Sequence, residues 1–200
     1  MASASSNLTM SEDAYFEMLE KSVDKYEYWN GVAVAMAGAQ PAHVAIEGNV
    51  FGELFHSLRG KDCRPMGSNQ AVKLAAGKGY VFPDISVVCG RPEYVIRGGI
   101  GCLLNPWLVA EVLSPGTASL DETDKLRAYA AIRTIREYLV IHSDRYAVKL
   151  YARSTPEEIW SVRIYEALSE RVNLETCGCS LTLDEIYAGV DLTGKNYFSA

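Results

Sequence analysis

Two apolar runs, each interrupted by a single acid, constrain this chain more than any other feature. Residues 80–89 read Tyr-Val-Phe-Pro-Asp-Ile-Ser-Val-Val-Cys, and residues 107–113 read Trp-Leu-Val-Ala-Glu-Val-Leu. Near-continuous apolar runs of this length are the pattern of strands covered on both faces. Asp84 and Glu111 are the only charges in them. A lone carboxylate in a dry strand is costly unless it is paired, protonated or bound to a cation. Two such acids on neighbouring strands are most economically explained by one shared cation. Mg²⁺ accepts a few carboxylate oxygens and keeps water elsewhere, so it suits such a site. Strand alternation puts Phe82, Asp84, Ser86 and Val88 on one face, and Trp107, Val109, Glu111 and Leu113 on one face of the second run.

Around these runs the pattern predicts alternating strands and helices. Thr9-Met10-Ser11-Glu12 fits a capping box with Thr9 as N-cap, opening a short helix that ends near Leu19. Residues 26–35 read as a hairpin turning on Asn30-Gly31. Pro41 suits the first turn of a helix over about 42–58. Residues 64–73 look strand-like, 90–106 look like a long loop, and Ser114-Pro115-Gly116-Thr117 breaks the second acid-bearing run. Ser119-Leu120-Asp121-Glu122 is a second capping box, opening a helix to about Arg133. A strand follows over 137–142, then antiparallel strands over 147–153, 159–165 and 171–174, and a last helix over 182–188. This order predicts an α/β (α+β) chain: a mixed β-sheet flanked by helices, with terminal β-hairpins. The expected division is a loose N-terminus over 1–10, one domain over 11–190 and a C-terminal tail over 191–200.

Two helix stripes bring further polar groups toward the acids. In the helix over 42–58, Ile46, Val50, Phe51, Leu54, Phe55 and Leu58 define an apolar face, and His43 and Glu47 project onto it. Either both reach the site or that end of the helix overhangs the core and both meet water. In the next helix, Asp121, Lys125 and Tyr129 share a stripe at i, i+4 and i+8. Tyr129 and Ile132 make it largely apolar, which turns Lys125 inward; the competing reading is a simple Asp121–Lys125 pair.

Composition limits the function classes. Of 200 residues, 48% are hydrophobic and 22% charged, which is ordinary for a folding domain. No stretch approaches a membrane span and the start lacks a secretory pattern, so the chain is expected to be cytoplasmic. The net charge of −6 and a pI near 5.1 count against tight, non-specific binding of nucleic acid. Five cysteines without a C-x-x-C pair, and only three histidines, give no structural zinc pattern and read as reduced thiols. No phosphate-loop or dinucleotide glycine motif occurs, and Ser114 lacks the G-x-S-x-G elbow of a serine hydrolase.

Several segments then occur in a telling order: Tyr26-Glu27 with Asn30-Gly31, His43 after a proline, Pro83-Asp84-Ile85-Ser86-Val87, Val109-Ala110-Glu111-Val112-Leu113-Ser114-Pro115, Asp121 with Lys125 and Tyr129, and Glu137-Tyr138-Leu139-Val140. In this order the chain resembles the bacterial Uma family of restriction-endonuclease-like proteins in the PD-(D/E)XK nuclease superfamily, over roughly 15–190. The resemblance implies a restriction-endonuclease-like core and matches Asp84 and Glu111 to the metal-binding acids, with the Val112 carbonyl as a third ligand. Where the superfamily motif places lysine, this chain has Leu113, and the resemblance moves that role to Lys125. Glu27 and His43 match further positions, with Glu47, Asp121 and Tyr129 as supporting residues. The implied function is a Mg²⁺- or Mn²⁺-dependent endonuclease acting on DNA, expected as a homodimer. The alternative is a non-catalytic homodimeric binding module on the same fold, and a third reading is a metal-dependent enzyme on another phosphate ester.

Overall fold

The two acid-bearing runs lie side by side in the computed structural model, which describes residues 8–36, 38–113 and 118–192. In chain order the elements are β1 (Leu8–Thr9), α1 (Glu12–Lys21), β2 (Tyr26–Trp29), β3 (Val32–Ala35), α2 (Pro41–Ser57), β4 (Cys63–Gly67), β5 (Ala71–Lys73), β6 (Gly79–Val81) and β7 (Ile85–Cys89). Then come β8 (Tyr94–Arg97), β9 (Ile100–Leu103), β10 (Leu108–Leu113), α3 (Ala118–Ala130), β11 (Glu137–His142), β12 (Val148–Ala152), β13 (Ser161–Tyr165), β14 (Arg171–Leu174), β15 (Cys179–Thr182) and α4 (Leu183–Ile186). One sheet runs β13-β12-β11-β10-β7-β4 and a second runs β1-β3-β2-β6-β5-β9-β8, while β14 and β15 pair as a separate hairpin.

The first sheet positions the acids. Its centre is β10, parallel to β11 and antiparallel to β7, with Leu108 opposite Val87 and Ala110 opposite Ile85. Parallel strands need a crossover, and α3 supplies it between β10 and β11. Both central strands are buried along their whole length. One face, with Ala110, Val112, Leu139 and Ile141, packs against Ile46, Val50 and Leu54 of α2 and against β14, β15 and α4. The other face, with Val109, Leu113, Tyr138 and Val140, packs against Ala128, Tyr129 and Ile132 around α3. Covering on both sides is why these strands read as unbroken apolar runs. A third cluster joins Tyr15 and Phe16 of α1 to Tyr28 and Tyr80 of the second sheet.

Several sequence expectations hold. Asn30 (φ 48°) and Gly31 (φ 89°) form the β2–β3 turn with both central residues in the left-handed region, as the dipeptide predicts. Pro41 opens α2. The last helix is present but shorter than the 182–188 expected, and Thr182 and Glu185 cap it reciprocally. A glycine is required at 79 for another reason: a Cβ there would sit 1.7 Å from the Tyr28 carbonyl oxygen.

Others are corrected. Residues 80–89 are not one strand: β6 and β7 belong to different sheets, and the chain crosses between them at Phe82-Pro83-Asp84. Proline has no N–H for a ladder, so the pairing stops there. Residues 64–73 likewise split into β4 and β5 of different sheets. The loop expected over 90–106 is the β8–β9 hairpin, turning on Gly98 and Gly99 with φ 48° and 74°. Thr9 is in a strand, and Ser11 caps α1, its hydroxyl accepting the Ala14 N–H at 3.2 Å. Phe55 does not join the buried face of α2 but is 50% exposed. The reduced-thiol reading fails for one pair: Cys63 and Cys89, directly opposite on β4 and β7, form a disulfide. Helix α3 starts at Ala118, so Ser119 lies inside it rather than at its cap. The turn expected over 114–117 and the side chain of Asp121 lie outside the described residues. Among the described residues no helix is long and apolar enough to cross a membrane.

Candidate metal centre

Asp84 is where the two sheets and two helices meet. Pro83 ends the β6 pairing, so the Asp84 carboxylate takes over as acceptor for the next strand. Its Oδ2 accepts the Val112 main-chain N–H at 2.7 Å, while Oδ1 lies 3.2 Å from His43 Nε2. His43 stands in the first turn of α2 and Glu47 one turn later, so the helix delivers both to the same place. The atoms of His43, Glu47 and Asp84 that could ligate a metal all lie within 4.8 Å of one another. The side chains of His43 and Asp84 keep 15% and 12% of their area exposed, enough for the group to be reached from solvent. Of the two readings of the α2 stripe, the structure selects the inward one.

Electrostatics in this group are mutually adjusted. Burial opposes the His43 charge, but the hydrogen bond and charge of Asp84, together with Glu47 and Glu111, outweigh it and raise the imidazole pKa. The Glu47 carboxyl is pushed up, by burial first and by the Asp84 charge second, although Ser68, His43 and Lys25 oppose this.

Glu111 sits beside this group, one position past Ala110 in the β7–β10 register. It is not among the three residues that cluster within 4.8 Å. Its Oε1 receives Lys125 Nζ at 3.0 Å and the Tyr129 hydroxyl at 2.6 Å. Burial pushes its carboxyl up to about 7, with the Lys125 charge opposing and Asp84 and Glu27 adding to the rise. The apolar α3 stripe is responsible for the Lys125 contact: Tyr129 anchors the helix in the core, and Lys125 one turn earlier then reaches the acid. Leu113, where the superfamily motif has lysine, is 3% exposed and packed among Val109 and Ala128.

Glu27 acts one layer out. Its Oε1 accepts the Phe82 N–H at 3.1 Å and its Oε2 accepts the Trp29 indole N–H at 2.9 Å. Oε1 therefore holds the crossing segment just before Asp84, while the Trp29 indole fixes the carboxylate from within β2. Sequence reasoning passed over Lys25, whose ammonium donates to the Ser68 carbonyl and, at 3.1 Å, to Asn69 Oδ1. It lies 4.8 Å above the Phe82 ring centroid. Burial lowers its pKa, against the attraction of Glu47, Asp84 and Glu27. A lysine just ahead of a predicted strand carries no pattern that marks it as inward, which is why only the fold reveals it.

The sequence profile of the Uma2 family, described as "Putative restriction endonuclease", matches residues 12–184. The chain belongs to the Uma2 family. Two uncharacterized Synechocystis sp. proteins are similar to this Uma2 chain. One, slr1290, is 30% identical over 181 residues, covering 90% of this chain and 93% of that protein. The other, sll1609, is 28% identical over 139 residues, covering 70% and 78%. The Uma2 chain also shares its fold with a crystal structure from Anabaena variabilis ATCC 29413, described as a putative nuclease belonging to DUF820. The TM-score is 0.66 at 18% identity, over 86% of this chain and 97% of that one. The restriction-endonuclease-like class read from the sequence is thus the observed one.

Proposed function

We propose that this chain is a metal-dependent endonuclease that hydrolyses phosphodiester bonds in DNA. One observation carries the reading: Asp84, held on Val112, brings His43 and Glu47 within 4.8 Å of itself beside the Glu111–Lys125 pair. The donor set fits a divalent ion. Carboxylate oxygens satisfy Mg²⁺, and the His43 nitrogen adds a ligand that Mn²⁺ accepts more readily. Asp84 and Glu111 are the proposed principal ligands, with the Val112 carbonyl, His43 and Glu47 completing the site.

A bound ion of this kind supplies a low-pKa water and draws charge from the phosphate. The chain's own residues do the rest. Val112 and His43 fix the Asp84 carboxylate in one orientation. The Tyr129 hydroxyl fixes Glu111, and Glu27 fixes the backbone from which Asp84 projects. Lys125 holds a positive charge at the margin of the site, where it opposes the negative charge that develops on the phosphate. Asp121 shares the Lys125 stripe and is assigned a supporting role on that placement alone.

The active form is proposed to be a homodimer, formed by joining the exposed β13 edges, so that two sites in one particle can act on two strands once these are separated. The non-catalytic binding module is the second reading, favoured by the net charge of −6 and by Leu113 at the lysine position. The two readings separate in one assay: cleavage of supercoiled, linear and single-stranded DNA with Mg²⁺ or Mn²⁺, wild type beside Asp84→Ala. Cleavage that needs the metal and vanishes in the variant supports the nuclease. No cleavage of any substrate, with no calorimetric metal binding, leaves the module.

A further inference from the structure

A groove of about 630 Å³ opens beside the metal centre, between one face of α2 and the segment joining β4 to β5. Val44, Glu47, Gly48 and Phe51 form one wall, and Met66 and Asn69 stand on the other. Its size is that of a small-ligand cleft, about 300–1,000 Å³. Glu47 belongs to both the groove and the His43–Glu47–Asp84 cluster, so whatever occupies one is held against the other.

The chemistry of the lining is specific in kind. Of the residues lining the groove only Glu47 is charged, and the one ammonium beside it, Lys25, is engaged with Ser68 and Asn69, so the groove offers little to neutralise a row of phosphates, as duplex binding through the backbone requires. It offers instead flat apolar surface. Phe51 is followed one turn later by Phe55, with ring centroids 6.2 Å apart and planes within 18° of parallel. Phe55 is 50% exposed, and the Arg59 guanidinium lies 5.7 Å from its ring centroid. Along one stripe of α2 lie a candidate metal ligand and two stacked rings, and Arg59, two residues beyond the helix end, adds a cation. Aromatic platforms backed by arginine are how single strands are held through the faces of their bases. A paired duplex hides those faces.

A second observation points the same way. Gly48 and Gly52 lie inside α2 on its open side, where glycine is a poor helix former beside alanine. A Cβ at either would meet nothing within 4 Å, so no contact inside the protein demands a glycine there. The space over Gly48 is space in the groove.

Resting on the nuclease reading above, we infer that this groove is a base-binding subsite and that the substrate enters as single-stranded nucleic acid, its base stacked on Phe51 and its phosphate beside Asp84. The test is equilibrium binding of fluorescein-labelled dT10 to the full-length protein in EDTA, with an unlabelled G·C-rich hairpin duplex as competitor. Phe51→Ala and Gly48→Leu are the variants. The single strand is expected to bind at least tenfold more tightly than the duplex, and each variant to weaken it by about tenfold. Leucine is the better helix former, so Gly48→Leu should melt no lower than wild type while binding worse, which a purely structural role would not produce. A labelled rU10 strand assigns the sugar, and binding of either strand through Phe51 and Gly48 supports the subsite.

Unchanged affinity in both variants, a duplex bound as tightly as the strand, or no binding by wild type overturns the inference. So does a sedimentation result in which the two variants turn a wild-type dimer into a monomer, since the groove is then a self-association surface. Metal-dependent cleavage, scored separately with Asp84→Asn, keeps the two claims apart. Cleavage without a Phe51 or Gly48 effect sinks only the groove, and groove-dependent binding without cleavage sinks only the nuclease.

Discussion

The carboxylate of Asp84 stands in for a main-chain acceptor, taking the Val112 N–H at 2.7 Å where the β7 ladder gives out at Pro83. One side chain thus closes the sheet and forms the centre of the proposed metal site. These two roles separate on substitution. Asp84→Asn and Asp84→Ala both remove the charge, and both should abolish metal-dependent cleavage. Only alanine strands the Val112 N–H without an acceptor, which costs about 1–3 kcal/mol. Urea denaturation should therefore place Asp84→Ala below Asp84→Asn by about that amount. Equal stabilities would mean that the bond contributes nothing.

The Lys125–Glu111 pair makes a second prediction. Lys125→Met should lower cleavage by about a hundredfold, the typical effect of losing one preorganised electrostatic group. Adding Leu113→Lys to that variant, which restores the superfamily motif, should not rescue it. The Leu113 side chain lies in the interface between the sheet and α3, and a lysine there would bury its charge among Val109 and Ala128. A double variant that regains wild-type rate would show that the position of the cation, and not the packing of α3, decides activity.

These contacts also mark how far the sequence could be read. The apolar run around Glu111, the Asn30-Gly31 turn and the inward side of α3 at Lys125 and Tyr129 depend on local pattern, and the structure has them where that pattern puts them. Amphipathicity gives the direction of His43 and Glu47 but not what lies in that direction, so two readings of that helix end fit the sequence. Lys25 and the split of 80–89 between two sheets were missed for a related reason. Pro83 forbids continued pairing, but nothing local says that the chain changes sheets rather than ends a strand. The Cys63–Cys89 bridge depends on β4–β7 register, which joins residues 26 apart.

Glu137 provides a pH test well away from the proposed metal site, at the start of β11 where it is level with Leu108 rather than Glu111. It is 3% exposed, its Oε1 accepts the Glu175 N–H at 2.8 Å, and its Oε2 has no hydrogen-bond partner among the described residues. Burial raises its carboxyl above the ordinary value of 4.5, against the Thr176 and Glu175 hydrogen bonds. The folded state therefore holds this proton more tightly than the unfolded chain. Stability from the protonated form is complete below the unfolded value, is lost as pH rises through the folded one, and does not return above it. Glu137→Gln should gain nothing near pH 4 and should melt higher than wild type at pH 8. Melting curves at both values check this, and a gap that does not change with pH would exclude the carboxyl as its source.

The cysteines make a count that can be checked directly. Five are present in the sequence, Cys63 and Cys89 are bonded, and Cys102, Cys177 and Cys179 are free. Protein purified and denatured without reductant should release three equivalents of thiol, and five after reduction. Five in both cases would place the protein in its dithiol form as purified, the form expected in a reducing compartment.

The proposed dimer rests on β13, the outermost strand of the sheet that carries Glu111. Val162 and Ile164 are 52% and 56% exposed on it, and alternation puts both on one face. A strand edge with apolar neighbours is a template for another strand, and natural edges avoid this with charge, most often lysine. Two copies joined edge to edge about a two-fold axis would continue the sheet from one protomer into the other. Ile164→Lys should therefore shift the sedimentation coefficient from dimer to monomer without changing the melting profile of each protomer. A wild type that sediments as a monomer at 100 μM (roughly the concentration at which a weak contact of this kind would register) removes the edge as the interface.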